Sequence, residues 1–157
     1  VINPADLINA LVTQMRLVPG LVAEVGGDPN RIVAYHDNYP HKISLFRELY
    51  IMPAPGILVA WQGTEVAAQE GGFERWQHGV SVYLKSGVES STDSSAYYRM
   101  FRAFTKGIPA GGTIELQYAT IHPACNPMNT PSISRQPDEE GIDFFEIATS
   151  FTEIGDE

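Results

Sequence analysis

The chain is 157 residues long, carries 19 acidic against 10 basic side chains, and has a net charge of -9 at pH 7 with a single cysteine. That length fits one domain able to bury a real core, and 43% hydrophobic with 18% charged residues excludes a disordered chain. Lone Cys125 excludes an internal disulfide framework, and with no apolar run near the roughly 20 residues of a bilayer span and no secretion signal at the start, a cytosolic product without membrane contact is expected.

The N-terminal residues read as a helix. Asn3 is a suitable N-cap, Pro4 suits the first helical position and Asp6 complements the dipole. Leu7, Ile8, Leu11, Val12 and Met15 then fall on one face. Pro19-Gly20 interrupts, residues 21–25 add a turn, and Asp28-Pro29-Asn30 is turn chemistry. Residues 32–35 fit a short edge strand and residues 44–50 a short helix with Leu45, Phe46, Leu49 and Tyr50 on its apolar side. Residues 57–61 read as a buried strand, and residues 63–72 as a long acidic hairpin tip.

From Trp76 the alternation is clearest: Trp76, His78, Val80, Val82 and Leu84 share one side of a strand. A helix with Tyr97, Met100, Phe101 and Phe104 follows, closing at Lys106-Gly107 before Pro109. Residues 113–121 alternate again, with Ile114, Leu116 and Tyr118 on one side. A last strand covers residues 142–153, with Phe145, Ile147 and Phe151 on one face. The order predicts a single α+β domain over residues 1–157, with a mainly antiparallel sheet, hairpin-like connections and helices packed on one face. Residues 122–141, with four prolines and Asp138-Glu139-Glu140, read as a second extended loop: either an arm that orders against a neighbouring subunit or a solvated loop.

Motifs for chemistry are missing. The glycine pairs make no phosphate-binding loop, and Ser81 lies within a continuing strand rather than in a nucleophile elbow. His36, His41, His122 and Cys125 are the metal-ligand types present, but His122-x-x-Cys125 is half a site without its second half. Cys125 has no activating neighbour. His78, on an apolar strand face, fits a hydrogen-bonded core or interface histidine. No cofactor, metal or catalytic residue is therefore expected, and no enzyme. The scattered basic residues disfavour a grip on nucleic acid, while an acidic surface suits either plain solubility or a passage that lets DNA through. Trp61, Phe73 and Trp76 flank the acidic hairpin; Trp76 reads as a pin onto the core and Phe73 as an interface residue. The candidate oligomer interface comprises Glu65, Glu70, Phe73 and Arg75 on the hairpin, with Arg135, Asp138, Glu139 and Glu140 on the second loop.

Taken together, three stretches resemble a known family. Pro4-Ala5-Asp6-Leu7-Ile8-Asn9-Ala10-Leu11 followed by Leu17-Val18-Pro19-Gly20-Leu21-Val22 resembles the opening of tail terminator and related neck proteins of tailed phages. Ile57-Leu58-Val59-Ala60-Trp61-Gln62-Gly63 with Trp76-Gln77-His78-Gly79-Val80-Ser81-Val82 is similar to their central hairpin. Gly141-Ile142-Asp143-Phe144-Phe145-Glu146-Ile147, running into Phe151-Thr152-Glu153-Ile154-Gly155-Asp156, resembles their ending. The resemblance implies a structural virion protein, found in the host cytoplasm during assembly. It would form a homo-oligomeric ring of six copies that caps the tail tube protein, meets a head-closure or connector protein, and lets DNA pass through its lumen. A head-closure, connector or tail-completion protein of the same neck is the alternative, and a small metal-dependent enzyme a more distant one.

Overall fold

The computed structural model describes residues 2–35, 45–70, 73–85, 95–108, 120–136 and 144–153, with backbone alone at 46, 67–70, 73–74 and 136. Four helices, α1 (Pro4–Met15), α2 (Pro19–Glu24), α3 (Leu45–Ile51) and α4 (Ser95–Gly107), accompany five strands. These are β1 (Ile32–Tyr35), β2 (Gly56–Glu70), β3 (Phe73–Lys85), β4 (Ser132–Gln136) and β5 (Phe144–Thr152), in the sheet order β1-β2-β3-β5-β4.

Local chemistry explains the helices. Asn3 caps α1, its side chain accepting the Ala5 N–H at 3.0 Å, and Pro4 occupies the first turn. The five apolar residues of the α1 stripe are all buried, each stabilising the fold by about 1.5–3 kcal/mol relative to exposure. In α4, Tyr97, Met100 and Phe104 are buried, and the Tyr97 ring stacks on Phe145 of β5 with centroids 4.2 Å apart. Where α2 crosses α4 the backbones come close: a Cβ on Gly20 would meet the Ala103 Cβ at 3.0 Å, and one on Gly107 would meet Val18 Cγ2 at 2.5 Å.

Every strand pairing is antiparallel except β1 with β2, so the predicted α+β domain with a mainly antiparallel sheet is the fold found; the expected single helix-bearing face is corrected, because α3 packs on the face opposite α1, α2 and α4. The parallel pair replaces one expected hairpin by a crossover that contains α3, because parallel neighbours need a connection long enough to return the chain. Side chains of α1, α2 and α4 share one core with Ile57, Val59, Val80, Val82, Leu84, Phe145, Ile147 and Phe151. Residues of the opposite phase, Leu58, Ala60, Tyr83 and Phe144, form a smaller cluster on the other face with Leu49 of α3 and Met52. Lys85 fixes α3 to the end of β3, its Nζ donating to the carbonyls of Leu49, Tyr50 and Met52 at 2.9, 3.1 and 2.7 Å.

Two loop expectations are corrected. Residues 63–70 are not a loop but the continuation of β2, paired to Glu70↔Phe73. The chain absorbs the extra length as bulges, one between Trp61 and Gly63 and one between Val66 and Ala68. Gly63 has φ +130°, a conformation open to glycine and rarely to other residues, so a residue that reads as loop punctuation serves a strand bend. Residues 122–136 are likewise no free loop. Cys125 and Met128 are fully buried in the main core, the Asn126 and Asn129 amides donate to the carbonyls of Thr152 and Ser150 at 2.9 Å each, and β4 pairs with β5. Pro123 lies in a turn closed by the Cys125 N–H donating to the His122 carbonyl at 3.1 Å. The alternation at 113–121 falls mostly outside the described residues; its last two, Thr120 and Ile121, are not in a strand. His36, His41 and residues 137–141 also lie outside them.

Candidate functional site

The first bulge has a consequence for side-chain direction. Below it, Trp61 lies opposite Val80; above it, Thr64 lies opposite His78. Because Val80 and His78 share a face of β3, the extra residue Gln62 turns Thr64 onto that face. There the Thr64 hydroxyl meets His78 Nδ1 at 2.7 Å while accepting the Trp61 indole N–H at 3.2 Å. On its other side His78 Nε2 is 2.7 Å from Glu153 Oε1, which also accepts the Ile2 N–H at 2.7 Å. One direction of donation satisfies every group: Trp61 to Thr64, Thr64 to His78, His78 to Glu153. His78 is 1% exposed, and so is the hydrogen-bonded core histidine that its strand position suggests.

Burial pushes the Glu153 carboxyl up, but the hydrogen bonds from the Ile2 N–H and from His78 more than offset this and hold it below the ordinary glutamate value of 4.5. The order hydroxyl–imidazole–carboxylate matches a nucleophilic triad, and Thr64 borders an open cleft of about 330 Å³. The Thr64 oxygen also accepts the Trp61 N–H, which takes up one of its two lone pairs. The four side chains work as a clamp across β2, β3 and the chain end. The Cys125 thiol is buried, and burial plus the Glu153 charge push it up to about 11, so it stays protonated. His122 turns inward locally, its Nδ1 accepting the Ala124 N–H at 3.0 Å. Among the described residues no three His, Cys, Asp or Glu side chains come together as metal ligands. Nor is any helix among them long and apolar enough to cross a membrane.

Above the clamp the sheet narrows to two strands. β1 accompanies β2 only to Ala60, and β5 accompanies β3 only from Gln77. From Val66↔Trp76 to Glu70↔Phe73 the hairpin has no neighbouring strand among the described residues, apart from the Glu153 N–H bonded to the Trp76 carbonyl, and this arm is a two-stranded β-ribbon. Four of the sequence-nominated interface residues lie on this ribbon or at its base: Glu65, at the base, and Arg75 are exposed, and Glu70 pairs with Phe73 at its end. Val66 is exposed beside them. Arg135 does not join them: it lies exposed on β4, at the far edge of the sheet. Asp138, Glu139 and Glu140 fall outside the described residues.

A second surface escaped the sequence reading. Arg99, Arg102 and Lys106 are exposed along α4 and line, with Glu24, Gly20 and Ala103, a cleft of about 420 Å³ between α2 and α4. Arg99 is held by Glu24, Nε to Oε1 at 2.7 Å and Nη2 to Oε2 at 3.4 Å. Among the described residues Arg102 and Lys106 have no carboxylate partner. In sequence the three cations look scattered; the signal was their spacing of three and four, which places them on one helix face.

No protein-family model matches the chain, and no curated protein does. Among solved structures, a chain described as "Virion of native gene transfer agent (GTA) particle" shares its fold at 12% sequence identity with a TM-score of 0.56. The match covers 96% of this chain and 95% of that one. Similarity at that identity defines a fold, an α+β domain of a type that occurs in a virion.

Proposed function

We propose that this chain is a structural subunit of a tailed-phage-like virion, and more narrowly a tail terminator. In this role a ring of copies, six by the family resemblance, seats on the last ring of tail tube protein, stops its growth and offers its other side to a head-closure or connector protein. DNA passes through the lumen without specific binding, which the net charge of -9 favours. The chain acts through shape and surface complementarity rather than through bond chemistry. The observation that carries this reading is the end-to-end fold match to a chain of a virion, 96% of one on 95% of the other. The two-stranded ribbon supports it, since a β-ribbon with no flanking strand among the described residues is a surface suited to a neighbour.

The test is electron microscopy of particles produced with and without the gene for this chain. Tails of uncontrolled length without heads in its absence, and label at the head-proximal tail end in its presence, are the expected results. Tails of normal length joined to heads in its absence would end the terminator reading, and label on the head side of the joint would favour the head-closure alternative.

A further inference from the structure

Resting on the reading that copies of this chain associate, the geometry points to the contact that joins them: we infer that the β2–β3 ribbon of one copy docks in the α2/α4 cleft of the next. Three observations carry this. First, among the described residues the ribbon beyond Val66↔Trp76 has no strand on either side, and an isolated two-stranded hairpin is marginal in water without a surface to pack on. Second, the charges match. The ribbon sequence holds Glu65, Glu70 and Glu74 against Arg75, whereas the cleft presents Arg102 and Lys106 beside an Arg99 already neutralised by Glu24. In a protein with 19 acidic and 10 basic residues, a cationic helix face is a local exception; it complements the acidic ribbon of another copy. Third, each side offers apolar surface: Val66 is 47% exposed on the ribbon, and Val18 and Ala103 stand among the residues that line the cleft.

The contact joins two different surfaces of the same chain. Such a head-to-tail interface repeats from copy to copy and closes into a ring when the rotation permits. No twofold partner surface is needed.

Two experiments decide it. The double variant Val66→Cys with Arg102→Cys, oxidised at concentrations where the wild type associates, should give covalent multimers on a non-reducing gel, and either single variant should give no ladder; buried Cys125 stays out of the reaction. Separately, Arg102→Glu with Lys106→Glu should weaken self-association roughly tenfold or more, as should Glu65→Lys with Glu70→Lys. Mixing the two charge-reversed proteins should restore association between them, with circular dichroism melts unchanged throughout. Native mass spectrometry reads the species present. Absence of a ladder from an associated protein, charge reversals that leave association unaffected, or a wild type that stays monomeric up to its solubility limit would each overturn the proposal. These readouts are independent of tail morphology. A neck location with no ribbon–cleft cross-link removes this contact and leaves the terminator reading in place; the reverse result does the opposite.

Discussion

Glu153 Oε1 lies 2.7 Å from His78 Nε2 and 2.7 Å from the Ile2 amide nitrogen, so a single carboxylate oxygen joins the segment before α1, the middle of β3 and the residue after β5. The Glu153 N–H adds a 2.8 Å bond to the Trp76 carbonyl. Removing the carboxylate leaves two buried donors without an acceptor.

Glu153→Ala is therefore expected to destabilise the fold by about 2–3 kcal/mol in urea denaturation, more than Glu153→Gln, which retains an acceptor. The pH dependence has a definite sign. The folded carboxyl titrates below the unfolded value near 4.5, so its stabilisation is complete above that value and is lost as pH falls through the folded one. Between neutral pH and that range the wild type should hold its stability, then lose it more steeply than Glu153→Gln on further acidification. Parallel acid profiles for the two proteins would show that this carboxylate is not a linkage site.

Gly63 has open space where a Cβ would stand but φ +130°. Gly63→Ala should cost about 1–3 kcal/mol through backbone strain alone, whereas Gly79→Ala, with ordinary contacts beginning at 3.6 Å, should cost less. Equal denaturation midpoints would mean that the strand bends some other way.

At the α2/α4 crossing the limit is steric. Gly107→Ala puts a methyl group 2.5 Å from Val18 Cγ2 and should cost about 1–3 kcal/mol. Adding Val18→Ala should return part of that loss, because the two changes share one space. A double variant whose loss equals the sum of the single ones would remove the contact from consideration.

Replacing residues 67–75 by Asn-Gly, a sequence suited to a two-residue hairpin turn, removes ribbon that has no flanking strand among the described residues and spares Thr64. The thermal melt should stay nearly unchanged and the oligomer seen by native mass spectrometry should fall to monomer. A shortened chain that still associates would take the ribbon out of the interface.

The sequence made some of this legible because local periodicity and burial agree. In α1, Leu7, Ile8, Leu11, Val12 and Met15 recur at helical spacing and all are buried. In β3, His78, Val80, Val82 and Leu84 alternate and are buried as well. Where the reading failed, a residue had two physical uses. Gly63 serves turns and bulges equally, and only the pairing register separates them. The prolines around Cys125 suggest a loop, while the burial of Cys125 and Met128 depends on contacts distant in sequence. The ribbon residues of the candidate interface were accessible from their acidic and aromatic composition. The α4 cations form no run, because Met100, Phe101, Ala103, Phe104 and Thr105 fall between them in the linear order. The Thr64–His78–Glu153 chain spans nearly ninety positions and has no local signature.

The two slips of register on β2 carry a rule about length. Gln62 and Ala67 are each one residue more than β3 supplies, so the first inverts the sidedness of residues 63–66 and the second restores it for the ribbon end. Deleting Gln62 would erase the first bulge and leave Gly63 opposite Gly79 and Thr64 opposite His78, and deleting Ala67 would likewise leave Ala68 opposite Arg75. A lost residue is therefore absorbed at either surplus position, whereas deleting the paired Glu65 would set Val66 opposite Gln77 and turn it to the other face.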